Sequence, residues 1–214
     1  MLMKKFAVIF VLISNLFYLT PFAHAADADN LANLLNAVKT MQANFTQTVS
    51  DEKNKVLQTS YGKMAMQRPG KFRWDIKKPI PQLIIANETK LWIYDADLQQ
   101  VTIRSLSKAA GETPALLLTD VDRVLTKDYI VKPPKTEANI TWYGLQPRSA
   151  DNMFASVALG FANNQLNEMR LVDHLGHVTR VQFSQTQINK PLAATLFTYK
   201  ASANVDVVDE TKPN

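Results

Sequence analysis

The chain contains no cysteine among its 214 residues. Disulfide bonds are therefore excluded, and a folded domain of this chain must be held together by packing alone. Thiolate metal ligands are excluded as well. Of the three histidines, His174 and His177 flank a predicted hairpin turn and have no third ligand in a recognisable spacing, so we expect no metal site.

Groups that could carry out catalysis are also scarce. The paired carboxylates lie in predicted turns or on a helix surface, where charged side chains are usually just solvated. The serines occur without a nucleophile-elbow motif. We therefore expect a protein that is not an enzyme and that binds no cofactor.

Long apolar stretches are absent beyond the N-terminus. Lys4 and Lys5 precede an apolar stretch from Phe6 to Leu19, and Ala23-His24-Ala25 fits the pattern of a signal-peptidase site. This order is typical of a cleaved secretory signal peptide at residues 1–25. The alternative is a retained N-terminal anchor, although the stretch is short for a membrane span. We expect export and a single soluble domain comprising residues 26–214.

The net charge of +5 falls to +3 when Lys4 and Lys5 are removed. The remaining excess is spread along the chain, with small clusters at Lys77-Lys78 and at Lys132–Lys135. Solvated turns are one interpretation of these clusters, and a basic patch facing an acidic partner or lipid headgroups is the other. The pattern does not indicate nucleic-acid binding.

Short runs of aromatic and branched residues indicate a β-rich domain. The clearest are Lys71–Ile76, Gln82–Ala86 and Leu91–Tyr94, which are separated by compact turn clusters. Strand alternation places Phe72, Trp74 and Ile76 on one face, whereas the face that Leu91–Tyr94 presents stays open. The order of these runs is typical of an antiparallel meander. Eleven or twelve strands of this kind, the last of them at Leu196–Tyr199, predict one strongly curved antiparallel sheet or barrel.

Two amphipathic helices are predicted beside this sheet. The first is capped by Asp27 or Asp29, and its apolar stripe comprises Leu31, Leu34, Leu35, Val38 and Met41. The second begins at Thr113-Pro114 and runs to about Thr126, with an apolar side formed by Leu117, Val121, Val124 and Leu125. The fold class is therefore mainly β (α+β), with helices covering one face of the sheet.

Several motifs recur in the order found in a known family. They are Phe45-Thr46-Gln47, Arg68-Pro69-Gly70-Lys71-Phe72-Arg73-Trp74, Lys90–Tyr94, Thr113-Pro114 and Phe197-Thr198-Tyr199. In this order the chain resembles the LolA family of periplasmic carriers of outer-membrane lipoproteins. The resemblance implies an incomplete β-barrel with an α-helical lid over an apolar cavity.

The resemblance also implies a set of site residues. Arg68 would act as a latch that holds the lid closed through hydrogen bonds to helix backbone, whereas an arginine that merely extends to solvent is the alternative. The implied lipid cavity is lined by Phe72, Trp74, Ile76, Ile84, Trp92, Leu31, Leu34, Leu35, Leu117 and Val121.

The family further implies partners and a location. The cargo would be acylated lipoproteins, loaded in the periplasm by an inner-membrane lipoprotein-releasing ABC transporter and delivered to an outer-membrane lipoprotein receptor by a monomeric carrier. A lipid-sensing or lipid-binding module of the same fold is an alternative function. The receptor itself is a third possibility, but it would require the N-terminal cysteine that this chain lacks.

Overall fold

The computed structural model describes residues 23–106 and 118–211, with side chains from residue 26 onward. In these described ranges, helix α1 (Ala23–Asn36) is followed by six strands, a short helical segment and seven further strands. The first six strands are β1 (Thr40–Ser50), β2 (Val56–Gln67), β3 (Lys71–Lys78), β4 (Gln82–Ala86), β5 (Lys90–Asp95) and β6 (Gln100–Ser105).

The second part of the chain begins with α2 (Val121–Arg123), which continues into a π-helical turn (Val124–Asp128). The remaining strands are β7 (Tyr129–Val131), β8 (Lys135–Glu137), β9 (Ile140–Pro147), β10 (Phe154–Ala162), β11 (Gln165–Asp173), β12 (Val178–Ile188) and β13 (Asp206–Asp209). A 3-10 turn (Ala194–Phe197) separates the last two. No helix in the described ranges is long and apolar enough to cross a membrane.

All thirteen strands belong to one sheet, in the order β13-β6-β5-β4-β3-β2-β1-β12-β11-β10-β9-β7, with β8 paired to β9. Pairing is antiparallel except between β13 and β6. The prediction of a mainly β fold with an antiparallel meander is confirmed. The predicted last strand at Leu196–Tyr199 is wrong, because the chain forms the 3-10 turn there and adds β13 further on.

Helix α1 differs from its prediction at both ends. It begins at Ala23, so Asp27 and Asp29 lie inside the helix instead of capping it. It ends at Asn36, because the Asn189 side chain at the end of β12 donates to the carbonyl of Ala37 and accepts from the amide of Lys39. The predicted stripe residues Val38 and Met41 therefore lie beyond the helix, in the connection and in β1.

The second predicted helix is only partly described. Its predicted start at Thr113-Pro114 lies outside the described residues, and the helical segment that is described continues to Asp128 instead of Thr126. The side chain of Asp120 accepts a hydrogen bond from the amide of Arg123 and so caps α2.

The apolar core lies on one face of the sheet, which we call the inner face. Trp74 of β3 stacks on Phe45 of β1 with ring centroids 3.7 Å apart, and it meets Phe183 of β12 edge-on at 6.4 Å. Such ring pairs contribute beyond their buried area. Leu31 and Leu35 of α1 are buried against this same core.

The opposite, outer face of β3–β6 is covered by the chain after β12. Ile85, Val101 and Phe197 are buried there, Arg73 donates to the carbonyl of Leu196 at 3.4 Å, and Tyr199 packs on Tyr94. The sheet is therefore enclosed on both faces in this half of the molecule.

Gly62 makes room for the central aromatic stack. It lies opposite Phe45 in the β1–β2 register, and a Cβ at this position would overlap the Phe45 ring and the backbone oxygen of Asp75. Because a backbone atom cannot move aside without displacing β3, only glycine fits here.

We therefore expect Gly62→Ala to lower the free energy of unfolding by about 1–3 kcal/mol, measured by urea denaturation with an unchanged slope. Gly144→Ala is the matched control, because a Cβ there meets only the Lys132 side chain at an ordinary 3.5 Å. Equal stabilities of the two variants would show that the contact between Gly62 and Phe45 is not tight.

Candidate functional site

The side chain of Arg68 joins two segments that cover the core. Arg68 follows β2, and its Nε donates to the carbonyl of Leu118 at 2.9 Å. Its Nη1 donates to the carbonyls of Leu35 and Val38. The carbonyls at the end of α1 lack partners within the helix, and the planar guanidinium group has enough donors to bond both segments at once.

The backbone of the turn between β2 and β3, which contains Arg68 and Gly70, donates two further hydrogen bonds. The amide of Arg68 donates to the carbonyl of Lys39 at 2.9 Å, and the amide of Gly70 donates to the carbonyl of Thr119 at 3.5 Å. Gly70 has a φ of +65°, which glycine adopts without steric cost. The β2–β3 turn is therefore bonded through its backbone to two segments, the one that follows α1 and the one that precedes α2.

The charge of Arg68 is unusually desolvated. Burial lowers its pKa to about 10, so the group remains a cation at neutral pH. The acceptors it meets in the described residues are carbonyl oxygens. That of Leu35 belongs to the C-terminal turn of α1, where the helix dipole is negative, and that of Val38 lies just beyond the helix. These dipoles offset part of the cost of removing the cation from water.

A small apolar recess of about 20 Å³ lies under the end of α1. That volume is about what one water molecule requires, so it does not admit an acyl chain. This recess is therefore not the lipid cavity that the family resemblance implied, and that cavity stays a prediction. The recess is lined by Leu34, Leu35, Val38, Met41, Met66, Arg68, Leu118, Phe161, Gln165, Leu166, Thr186 and Ile188.

Most of the sequence-predicted cavity residues meet around the inner-face core. Leu31, Leu35, Val121, Phe72 and Trp74 are buried in it. Partly buried members packed against it are Leu34, Ile76 and Ile84. Leu117 lies outside the described residues.

Trp92 lies on the outer face, apart from this group. It pairs with Ile85 and Ile103, and the alternation along β5 places Leu91 and Ile93 on the inner face instead. We therefore correct the assignment of Trp92 to the cavity wall. The register thus decides the question about Leu91–Tyr94 that the sequence left open.

Several residues of this region were missed by sequence reasoning. Met64 and Met66 of β2 and Phe183 of β12 belong to the same core as Trp74. Alternation within each strand could have shown which residues share a face. It could not show that β12 pairs with β1, because this pairing joins distant parts of the chain, such as Phe45 and Phe183. The acceptor at Leu118 is a backbone carbonyl, so the residue type at this position does not indicate its contact with Arg68.

Comparison with known proteins supports an assignment of family. A family model described as outer membrane lipoprotein carrier protein LolA matches residues 36–200. The chain is 43% identical over 183 residues to an outer-membrane lipoprotein carrier protein of Legionella pneumophila (strain Corby), covering 86% of this chain and 90% of that protein. It is 37% identical over 201 residues to a protein of the same name from Dechloromonas aromatica (strain RCB), covering 94% and 96%.

Among solved structures, an uncharacterized conserved protein from Thermus thermophilus superposes with a TM-score of 0.54 at 15% identity, covering 86% of this chain and 99% of that one. This likeness concerns the fold alone. The family match and the relatives show more: the chain belongs to the LolA family of outer membrane lipoprotein carrier proteins. Its function is accordingly that of a carrier and not of an enzyme.

Proposed function

We propose that this chain carries lipoproteins through the periplasm by sheltering their acyl chains in an apolar space that opens beneath α1, inside a sheet curved into an incomplete barrel. The observation that carries this proposal is the position of Arg68, which joins α1 and the Leu118 segment across an apolar core. A lid fastened by contacts of this kind can be released without unfolding the sheet below it.

The physical need for a carrier is large. Transfer of one acyl methylene from water to an apolar environment is worth about 0.8 kcal/mol, so a lipid anchor with dozens of methylenes costs on the order of tens of kcal/mol to expose. A soluble protein that covers these groups removes that barrier, provided that it also releases them.

The closed state explains why release is possible. A recess of about 20 Å³ means that cargo must displace α1 from the core, which breaks the hydrogen bonds of Arg68. Bonds to a charged group contribute roughly 1.5–3 kcal/mol each. Their loss raises the free energy of the loaded state relative to the empty one, and the equilibrium is thereby shifted towards handing the cargo on.

The composition of the core favours opening and repacking. Four methionines are buried in it, namely Met41, Met64, Met66 and Met169. Unbranched thioether side chains adapt to irregular space at little cost, so the inner face can accommodate acyl chains of different lengths.

Partners follow from the same proposal. An inner-membrane lipoprotein-releasing ABC transporter supplies the energy at loading, since the sequence has no nucleotide-binding motif of its own, and an outer-membrane lipoprotein receptor takes the cargo from a monomeric carrier. A lipid-sensing module of the same fold is the alternative. Mass spectrometry of the purified protein tests for bound acylated polypeptide, which a sensor of free lipid would not retain.

Export is the first prediction of this proposal. Ala23-His24-Ala25 places signal cleavage before Ala26. N-terminal sequencing of the protein recovered from the periplasmic fraction should therefore begin at Ala26. Recovery of residues 1–25 on a membrane-bound protein would contradict both cleavage and free movement between the membranes.

Trp74 provides a direct probe of the opening. In a Trp92→Phe/Trp142→Phe variant, Trp74 is the remaining tryptophan of the three in the chain. Binding of an acylated lipopeptide should change its emission, because acyl chains that enter the inner-face core alter the surroundings of the ring. The matched control is Trp74→Phe/Trp92→Phe, which retains Trp142. The ring of Trp142 lies under Arg170 on the outer face, so its emission should stay constant. Saturable binding without a response from Trp74 would place the acyl chains elsewhere.

Arg68→Leu should load from the donor but transfer less cargo to the receptor, because the closed empty state loses its hydrogen bonds. Arg68→Lys should be intermediate, since an ammonium group keeps the charge but lacks the planar set of donors. Transfer is measured with purified carrier and receptor, as the fraction of lipoprotein handed over.

Arg73→Leu is the matched control for this measurement. Arg73 lies in β3 and also contacts a backbone carbonyl, but on the outer face. Its replacement should leave transfer near the native level. Unimpaired transfer by Arg68→Leu, or equal defects in both variants, would show that the Arg68 contacts do not favour the closed state.

A further inference from the structure

The outer face of the sheet carries a surplus of positive charge across β3, β2, β12 and β11. Strand alternation and register place five basic side chains there, with Glu168 among them. Two neighbouring ion pairs on β3, Arg73–Asp75 and Lys71–Glu88, add no net charge. Five bases against one remaining carboxylate leave an excess of four positive charges. We call the five side chains the basic patch: Lys63, Lys77, Lys78, Arg170 and Arg180.

The carboxylates on this face are covered, whereas the cations are exposed. The side chain of Glu168 is 1% exposed, against 42% for Arg170 and 48% for Arg180. Asp75 is 14% exposed, and its partner Lys77 is 59% exposed. A molecule that approaches this face therefore meets positive groups first.

The loop that joins β1 and β2 at the edge of this face is neutral as a whole. It contains Asp51, Glu52, Lys53 and Lys55, and the carboxylate of Asp51 accepts from the amides of both lysines. The charge surplus therefore belongs to the strands and not to this turn.

Glu168 holds two of these cations in fixed positions. It accepts from Nε of Arg170 at 2.7 Å and from Nη2 of Arg180 at 2.6 Å, and the Arg170 guanidinium lies 3.8 Å from the centroid of the Trp142 ring. The two guanidinium groups offset the cost of burying the carboxylate. Among the described residues, the terminal nitrogens of Arg170 have no acceptor. A guanidinium that is already oriented can bind a further carboxylate at a reduced entropic cost.

A recess of about 350 Å³ lies beside the lysines of the basic patch. Lys63, Lys77 and Lys78 line it, and the described residues around it include no carboxylate. Thr46 and Ser184 add hydroxyl groups to its wall, and these can donate to an anion. The recess is therefore suited to receive a negatively charged side chain.

We propose that the basic patch docks an acidic segment of a partner protein, with one carboxylate in the lysine recess and another on Arg170 and Arg180. Charge complementarity of this kind selects the partner and speeds the encounter. The strand spacing places the two contact points roughly 10–15 Å apart, which is the separation of carboxylates about four residues apart in an extended segment.

A membrane surface is disfavoured as the occupant of the basic patch. Amphipathic surfaces that bind membranes insert large apolar groups below the headgroups, whereas the exposed apolar side chain between Lys63 and Lys78 is Tyr61, whose ring carries a hydroxyl. Tyrosine and arginine are enriched in protein interfaces. A protein side chain can also enter the recess, which a planar bilayer cannot do.

This inference goes beyond carriage of cargo and does not depend on it. Acyl chains are proposed to enter the inner-face core, whereas the basic patch lies on the outer face of the sheet. A test on the empty protein therefore addresses the patch alone, and its failure would leave the proposed function untouched.

The experiment is a titration of a fluorescein-labelled polyglutamate peptide with the processed, cargo-free protein, followed by fluorescence anisotropy. We expect saturable binding to the native protein and roughly tenfold weaker binding to Lys63→Gln/Lys78→Gln, because both lysines line the recess. Both are exposed, so their replacement should leave the fold intact.

Glu168→Gln distinguishes a fixed arrangement of arginines from a simple effect of net charge. It adds one positive charge to the face but loosens the hold on Arg170 and Arg180, so the proposal expects weaker binding. Arg170→Lys/Arg180→Lys keeps the charge but removes the planar donors, and it should also bind more weakly. Tighter binding by Glu168→Gln, or native affinity of the lysine variant, would overturn the proposed contact with the arginines.

The matched control is Lys90→Gln/Lys127→Gln, which removes two exposed lysines outside the basic patch and should bind like the native protein. No saturable binding to the native protein, or an equal loss in this control, would contradict the proposal. Flotation with phosphatidylglycerol vesicles tests the other occupant. Vesicle binding that Lys63→Gln/Lys78→Gln abolishes would assign the patch to a membrane and overturn the proposal.

Discussion

The hydrogen bonds of Arg68 are the interaction on which the proposed closed form of this protein depends. Elsewhere the sheet is held by backbone pairing and by a continuous apolar core, whereas α1 lies outside the strand pairing and packs on that core as a separate layer. The carbonyls of Leu35 in its last turn and of Val38 just after it are joined through one guanidinium group to the Leu118 segment. The burial that lowers the pKa of Arg68 to about 10 also strengthens these bonds, since water competes less for the same donors.

This arrangement separates two kinds of stability. The thirteen-stranded sheet needs neither α1 nor Arg68 to pair its strands, and the Phe45–Trp74 stack is set by the β1–β2–β3 register and by the space at Gly62. Helix α1, by contrast, is held by a few polar contacts and by the buried Leu31 and Leu35, over a core that contains adaptable methionines. In the proposed carrier, α1 can leave this core while the strands remain paired.

The sequence predicted what depends on local periodicity. Alternation in β3 placed Phe72 and Trp74 together on the buried face, as the register now shows, and the motif order identified the family. It failed where tertiary contacts override local pattern. Asn189 ends α1 before Val38, a contact across 150 residues, and β5 turns Trp92 outward although Trp92 is as apolar as its neighbours. The Leu118 carbonyl is a backbone atom, so the residue type at this position could not predict its hydrogen bond with Arg68.

The connections at the two ends of the sheet make different contacts. At the Arg68 end the turns are polar and several bond to other segments, as Gly70 does to Thr119. At the other end the aspartates bond within their own turns and leave leucine and isoleucine in solvent. The contacts that fasten the end of α1 therefore lie at the Arg68 end of the strands.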